Sequence, residues 1–293
     1  MKVAGELTVS GGTNAINEYI GPGARTISAT GKATITNMGA EVGATTSLFP
    51  YDDHMATYLG ATGRAELAAL ADKHRNLLAP DTEIEAEPDQ YYDRVIRIDL
   101  SSLEPHVVGP HSPDRARPLS ALAGEIADPA NGFEDAVSSA LIGSCTNSSY
   151  EDMSRAADIA GQAAMHGMKA TTPLLVTPGS EQIRATIARD GQLRTLEDAG
   201  GTVLANACGP CIGQWRRAAS ETEAPNTIVT SYNRNFPKRN DGRPTSMNFI
   251  ASPEIVTAFA IAGRLSFNPM TDDLTGADGE LFRLSPPATT PEV

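Results

Sequence analysis

The stretch Ala140-Leu141-Ile142-Gly143-Ser144-Cys145-Thr146-Asn147-Ser148-Ser149-Tyr150-Glu151 decides the fold. Ala140 to Gly143 is an unbroken small and apolar run, the pattern of a strand buried on both faces. Polar residues follow at once, and Ser148-x-x-Glu151 has the spacing of a capping box. The helix it opens carries Met153, Ala157, Ile159 and Ala163 as apolar positions. A cysteine therefore stands in the loop between a buried strand and a capped helix.

The same rhythm repeats downstream. Leu174-Leu175-Val176 reads as a second strand, and Pro178-Gly179 leads into a helix with Ile183 and Ile187 on one face. Val203-Leu204 and Ile228-Val229 read as two further strands, and Ile255 to Ala262 as a helix. Alternation of this kind predicts an α/β fold with a mostly parallel sheet covered on both faces.

The first hundred residues read differently. They are rich in Gly, Ala and Thr, with short apolar runs such as Glu6 to Ser10 between small-residue segments. Residues 30–41 read as a helix of small residues, and Pro50 to Leu77 as two helices with Met55, Leu59, Leu67, Leu70 and Ala71 as apolar positions. Arg94 to Leu100 alternates apolar and polar residues, as a half-buried strand does. Pro105 to Pro118 holds four prolines without periodicity and is the best linker candidate. The expected division is a first α/β domain over 1–105, a second over 106–285, and a disordered tail over 286–293. No internal repeat is visible.

Composition excludes several classes. No apolar run approaches the roughly 20 residues that span a bilayer, and the first residues lack the apolar core of a secretory signal. Three cysteines in 293 residues are too few, and odd in number, for a disulfide scaffold, which points to a reducing cytoplasm. The formal net charge of −13 argues against nucleic acid as a main partner. An anionic ligand must then be met by local arginines rather than by the global field.

The three cysteines carry the chemistry. Cys145 follows one strand end, and Cys208-Gly209-Pro210-Cys211 follows another. Ligands gather at the carboxyl ends of strands in open α/β sheets. Three thiolates are one short of a closed tetrahedral site but suit a cubane iron–sulfur cluster with one open iron. A zinc site with His166 as fourth ligand and a redox CxxC remain alternatives from spacing alone. After the strand around Ile228, Asn233, Arg234 and Arg239 form a set suited to carboxylates, because guanidinium makes forked, charge-assisted hydrogen bonds. A solvated loop is the plain alternative. Asn37 and Glu41 stand four apart in the small-residue helix, a spacing for an acid/base pair or an exposed polar face.

Taken together these segments resemble the aconitase family. The resemblance rests on Leu141 to Ser148, Ala205 to Trp215, Ser231 to Phe236, Asn37 to Glu41, and Gly179 to Arg184, and runs from about residue 5 to 285. It is strongest to the mitochondrial type, including bacterial forms. It implies two three-layer α/β/α domains and a [4Fe–4S] cluster held by Cys145, Cys208 and Cys211. It implies a hydro-lyase that interconverts citrate and isocitrate through cis-aconitate, as in the tricarboxylic acid cycle. Arg234, Arg239 and Asn233 then bind substrate, and Asn37 and Glu41 serve at the open iron. Of the family's four domains the chain resembles the middle two. The N- and C-terminal domains are then partners in cis or trans, and the chain alone is expected to be weakly active or inactive. A hydro-lyase of homoaconitate or isopropylmalate, and an iron-sensing RNA-binding relative, are the alternatives. The expected location is a bacterial cytoplasm or, in a eukaryote, the mitochondrial matrix. In place of the family's Trp-Asp-Arg, this chain has Trp215-Arg216-Arg217.

Overall fold

The computed structural model describes residues 1–291 and divides them into two compact units. One comprises Met1–Val9 together with residues from Pro105 to Thr290, and the other is built from Ser10–Glu104. The expectation started the first domain at residue 1. Instead α1 (Lys2–Leu7) packs on strand Ala116–Pro118 of the larger unit, with Ala4 and Leu7 buried.

The smaller unit holds one parallel strand pair, β1 (Ile16–Glu18) with β2 (Thr46–Leu48). Around it lie α2 (Ala29–Asn37), α3 (Asp53–Ala61), α4 (Ala65–Lys73), α5 (Arg75–Leu78) and α6 (Thr82–Ala86). Ser28 caps α2 by accepting from Gly31 N, and Asp52 caps α3 by accepting from Met55 N. Asp52 also ion-pairs with the buried Lys32, whose ammonium lies 5.9 Å from the centre of the Phe49 ring. Burying an ammonium is costly unless it is paired, so this pair fixes α2 against the start of α3. The strand expected over 94–100 is absent. The segment has no regular secondary structure, because alternation specifies an extended chain and not a partner.

The larger unit is organised by a seven-stranded sheet. Its strands are β3 (His106–Val108), β4 (Ala116–Pro118), β5 (Val137–Gly143), β6 (Leu174–Thr177), β7 (Gly201–Val203), β8 (Asn226–Thr230) and β9 (Ser246–Ile250). The order is β4-β3-β9-β8-β5-β6-β7. Strands β9, β8, β5, β6 and β7 are mutually parallel, and β3 runs antiparallel to both β9 and β4. The proline-rich stretch read as a linker thus forms the edge hairpin of the sheet. Prolines at an edge cost no ladder bond, which is why a strand survives there. Strand β9 escaped the sequence reading, because Ser246-Met247-Asn248-Phe249-Ile250 is too polar for a continuous apolar run.

One face of the sheet is covered by α7 (Leu119–Ala127), α8 (Tyr150–Met165), α9 (Glu181–Asp190), α10 (Gln192–Asp198) and α12 (Pro253–Ala262). Their apolar residues join Ala140, Ile142, Val176, Val229 and Phe249 in one core. Helix α12 is buried nearly all round, since its far side packs under Phe267, Leu274 and Leu284 beside the hairpin β10–β11 (Leu274–Thr275, Leu281–Phe282). The other face carries Leu141, Leu175 and Tyr232 and is covered by loops between residues 204 and 245, including the single turn α11 (Ala219–Thr222). The capping box at α8 uses Ser149 and Asp152, one residue later than read from sequence. Ser148 instead donates its hydroxyl to Ser144 O inside the cysteine loop. The tail expected to be disordered from residue 286 is tied to α8, with Ala288 N donating to Asp158 Oδ2 at 2.7 Å; residues 292–293 lie outside the described residues. Among the described residues no helix is long and apolar enough to cross a membrane.

A thiol site at the switch point of the sheet

The chain leaves β5 toward β6 and β7 on one side, and β8 and β9 lie on the other. The boundary between β5 and β8 is therefore a topological switch point, the place where open α/β sheets gather ligands. Both loops carry predicted site residues. Cys145 follows β5, and Asn233 and Arg234 follow β8.

The two loop bases are bonded together. Ser231 N donates to Leu141 O at 3.0 Å. Gly143 N donates to Ser231 Oγ at 2.9 Å, and Asn147 Nδ2 to Ser231 O at 2.7 Å. Gly143 adopts φ +86°, and a Cβ there would stand 1.8 Å from Thr177 O, so only glycine lets β5 turn out beside β6. Cys145 itself is exposed at the tip.

The loop after β7 returns across β6 to the same place. Asn206 Nδ2 bonds Glu181 Oε2 at 2.8 Å, at the start of α9. Gly209–Ile212 then forms a single tight turn, closed by Cys211 N donating to Cys208 O at 2.8 Å. Cys208 is exposed, while Cys211 is buried against Leu141 and Tyr232. Burial pushes the Cys211 thiol up, the Arg239 guanidinium draws it partly back, and the charges of Cys145 and Cys208 add to the rise. Cys145 and Cys208 therefore each lie within electrostatic reach of Cys211.

Arg239 lies with its guanidinium 5.1 Å from the centre of the Phe236 ring and within hydrogen-bonding reach of the Cys211 thiol. Its Nε is buried and has no partner. Asn233 is buried, and Arg234 is half-buried with Nη1 3.3 Å from Asn233 O. Sequence reasoning missed Ser231, Asn240, Arg217 and Asp241 in this neighbourhood. Ser231 lies inside, and Asn240 directly after, segments in which the arginines carry the stronger local signal. Arg217 and Asp241 are 24 residues apart, and nothing local signals their pairing.

His166 takes no part. It caps the far end of α8 and stacks on Phe282 with ring centres 3.9 Å apart. Among the described residues no three His, Cys, Asp or Glu side chains form a group able to hold a single metal ion. The donor set fits an iron–sulfur cluster in kind. Three thiols sit on two strand-end loops, and an unpartnered guanidinium N–H is buried beside one of them. Buried donors are almost always satisfied, so an acceptor is expected there.

In the smaller unit, Asn37 ends α2, and a 3₁₀ turn over Met38–Val42 follows. Asn37 lines an open groove of about 400 Å³ with Ala33, Thr36, Ala40 and Thr45. Glu41 is half-buried in the 3₁₀ turn and is not among the groove residues. The helix tightens between the two, so their four-residue spacing no longer keeps them on one α-helical face.

Three cysteines on the loops that follow β5 and β7 of a mostly parallel sheet make this an α/β protein with a thiol-bearing strand-end site. The sequence model of the aconitase family (aconitate hydratase) matches residues 1–263. The chain is 55% identical over 288 residues to a mitochondrial aconitate hydratase of Gracilaria gracilis, covering 98% of this chain. It is 57% identical to the mitochondrial enzyme of Saccharomyces cerevisiae and 57% to a probable one of Caenorhabditis elegans. The chain belongs to the aconitase family. It spans about 36% of the length of these relatives. Their names support neither the expected cytoplasm nor homoaconitate, isopropylmalate or RNA as a ligand.

Proposed function

We propose that the chain is the cluster-binding and carboxylate-binding part of an aconitate hydratase acting on citrate, isocitrate and cis-aconitate. The observation that supports this is the proximity of Cys145 and Cys208 to Cys211, with the buried, unpartnered Nε of the half-buried Arg239 beside it. In this reading the unit built from Ser10–Glu104 and the unit built from Met1–Val9 with residues from Pro105 onward are the family's second and third domains, and the flanking domains complete the site in cis or trans. The location is the mitochondrial matrix if the source is a eukaryote.

Cys145, Cys208 and Cys211 would hold a [4Fe–4S] cluster. When bound, that cluster supplies a Lewis-acidic iron with no protein thiolate, which makes the substrate hydroxyl a better leaving group. Arg234 and Arg239 receive substrate carboxylates, and each can present two parallel N–H donors to one carboxylate. Asn233 orients a neighbouring oxygen through its buried amide. Asn37 and Glu41 handle the water and hydroxyl that leave and return, with the Glu41 carboxylate moving the proton. In a chain of net charge −13, these arginines supply the attraction that the global field does not.

The test is anaerobic loading of the purified chain with iron and sulfide. The expected result is visible charge-transfer absorption and about four irons per chain, abolished by Cys208→Ser or Cys211→Ser. A chain that takes up one zinc instead, or no iron, would sink the reading.

A further inference from the structure

We infer that Asn240 is a positioning residue for the Cys208–Cys211 turn, and that the Arg217–Asp241 pair anchors the two loops this contact joins. The inference rests on the reading of Cys208 and Cys211 as cluster ligands. Asn240 is 3% exposed, and its Nδ2 donates to Pro210 O at 3.2 Å. The other bond to that carbonyl is long, with Gly213 N at 3.4 Å. Asn240 thus ties the middle of the cysteine turn to the loop that carries Arg239. The loops also touch directly, since a Cβ on Gly213 would stand 3.2 Å from Arg239 O.

A second tie lies behind the first. Arg217 follows the turn, and Asp241 follows Asn240. Their side chains are only 2% and 1% exposed, with Nη1 and Oδ2 3.3 Å apart. Arg217 Nη1 also reaches Asn226 Oδ1 at 2.7 Å, and Nη2 reaches Ser138 Oγ at 3.0 Å. Ser246 Oγ donates to Asp241 Oδ2 at 2.5 Å. These partners belong to β5, β8 and β9, so both loops are bolted to the rigid sheet by buried, charge-assisted bonds. The cysteine turn and the arginine loop accordingly move as one piece. A group seated on the thiols would order the arginines, and the arginines would order the thiols.

Asn240→Asp keeps the size, removes the donor and sets a carboxylate against the Pro210 carbonyl. In the metal-free chain we expect amide exchange at Cys211 and Gln214 to rise roughly fivefold or more, the worth of one buried hydrogen bond. Exchange at Ile142 and Val229 should stay unchanged. Unaltered exchange at Cys211 and Gln214 would overturn the inference. In the loaded chain, Asn240→Asp should lose its visible absorption to a chelator several-fold faster than the parent. If the parent takes up no cluster, the ligand reading falls while the exchange data still decide the role of Asn240. If both hold the cluster equally long, this inference falls and the ligand reading stands. Should Asn240→Asp not fold, the parent alone decides. Joined loops open together, so the Gln214 and Arg239 amides should share one protection factor within about twofold. Clearly different factors would count against the tie.

Discussion

Single atoms set the terms at the switch point. Gly143 is the clearest case, because a side chain there meets Thr177 O in a backbone conformation that L-residues avoid. Gly143→Ala is expected to cost about 3 kcal/mol or more, read from urea denaturation. The thiols differ in access, with Cys145 and Cys208 exposed and Cys211 buried. Alkylation of the metal-free chain followed by peptide mapping should modify the first two well before Cys211. Asp152 gives a pH signature. Burial pushes its carboxyl up to about 6, against the hydrogen bonds it accepts from Ser149. The folded state therefore holds this proton more tightly than the unfolded chain. That contribution is full below about pH 4 and is lost as the pH rises through about 6. Asp152→Asn should gain stability relative to the parent between those limits; a difference that stays flat with pH would contradict this.

Among elements, the edge hairpin and the loops over the second sheet face carry the most consequence. Strands β5 and β8 are buried on both sides, yet the two sides differ. Helices supply an apolar cover on one, while the other combines the small apolar cluster of Leu141, Cys211 and Tyr232 with the polar contacts around Arg217 and Asp241. Removing one partner of a buried ion pair leaves the other charge uncompensated. Asp241→Asn should therefore destabilise the larger unit by about 3 kcal/mol, measured by thermal or urea unfolding. A loss below a few tenths would mean that Asn226 and Ser138 suffice for Arg217.

For the whole molecule, acidity and extent dominate. With Asp and Glu at 36 against Lys and Arg at 23, the surface should not retain RNA at physiological salt in a gel-shift assay. The chain covers about 36% of its relatives' length. The loaded chain is expected to form cis-aconitate at least about 10²-fold more slowly than a complete relative, the scale of one missing acid/base group. Turnover near that of the full-length enzyme would show that the two units suffice.

The sequence by itself determined the parallel α/β character, the strand-end cysteines and the family. Each of these is written in local pattern. Ala140 to Gly143 reads as buried strand because its neighbours along the chain say so, and Cys208 to Cys211 reads as a turn because of Gly209 and Pro210. Tertiary structure alone decided the rest. That a proline-rich stretch becomes an edge hairpin depends on β9 being there to pair with it. That Met1–Val9 joins the larger unit depends on strand Ala116–Pro118 lying beside α1 and on Asp114 accepting from Val9 N. That Asn240 reaches Pro210 across 30 residues, and Arg217 reaches Asp241 across 24, depends on two loops meeting over one sheet face. Such contacts leave no periodicity, because the partner of a buried polar group is chosen by proximity in space and not by spacing in sequence.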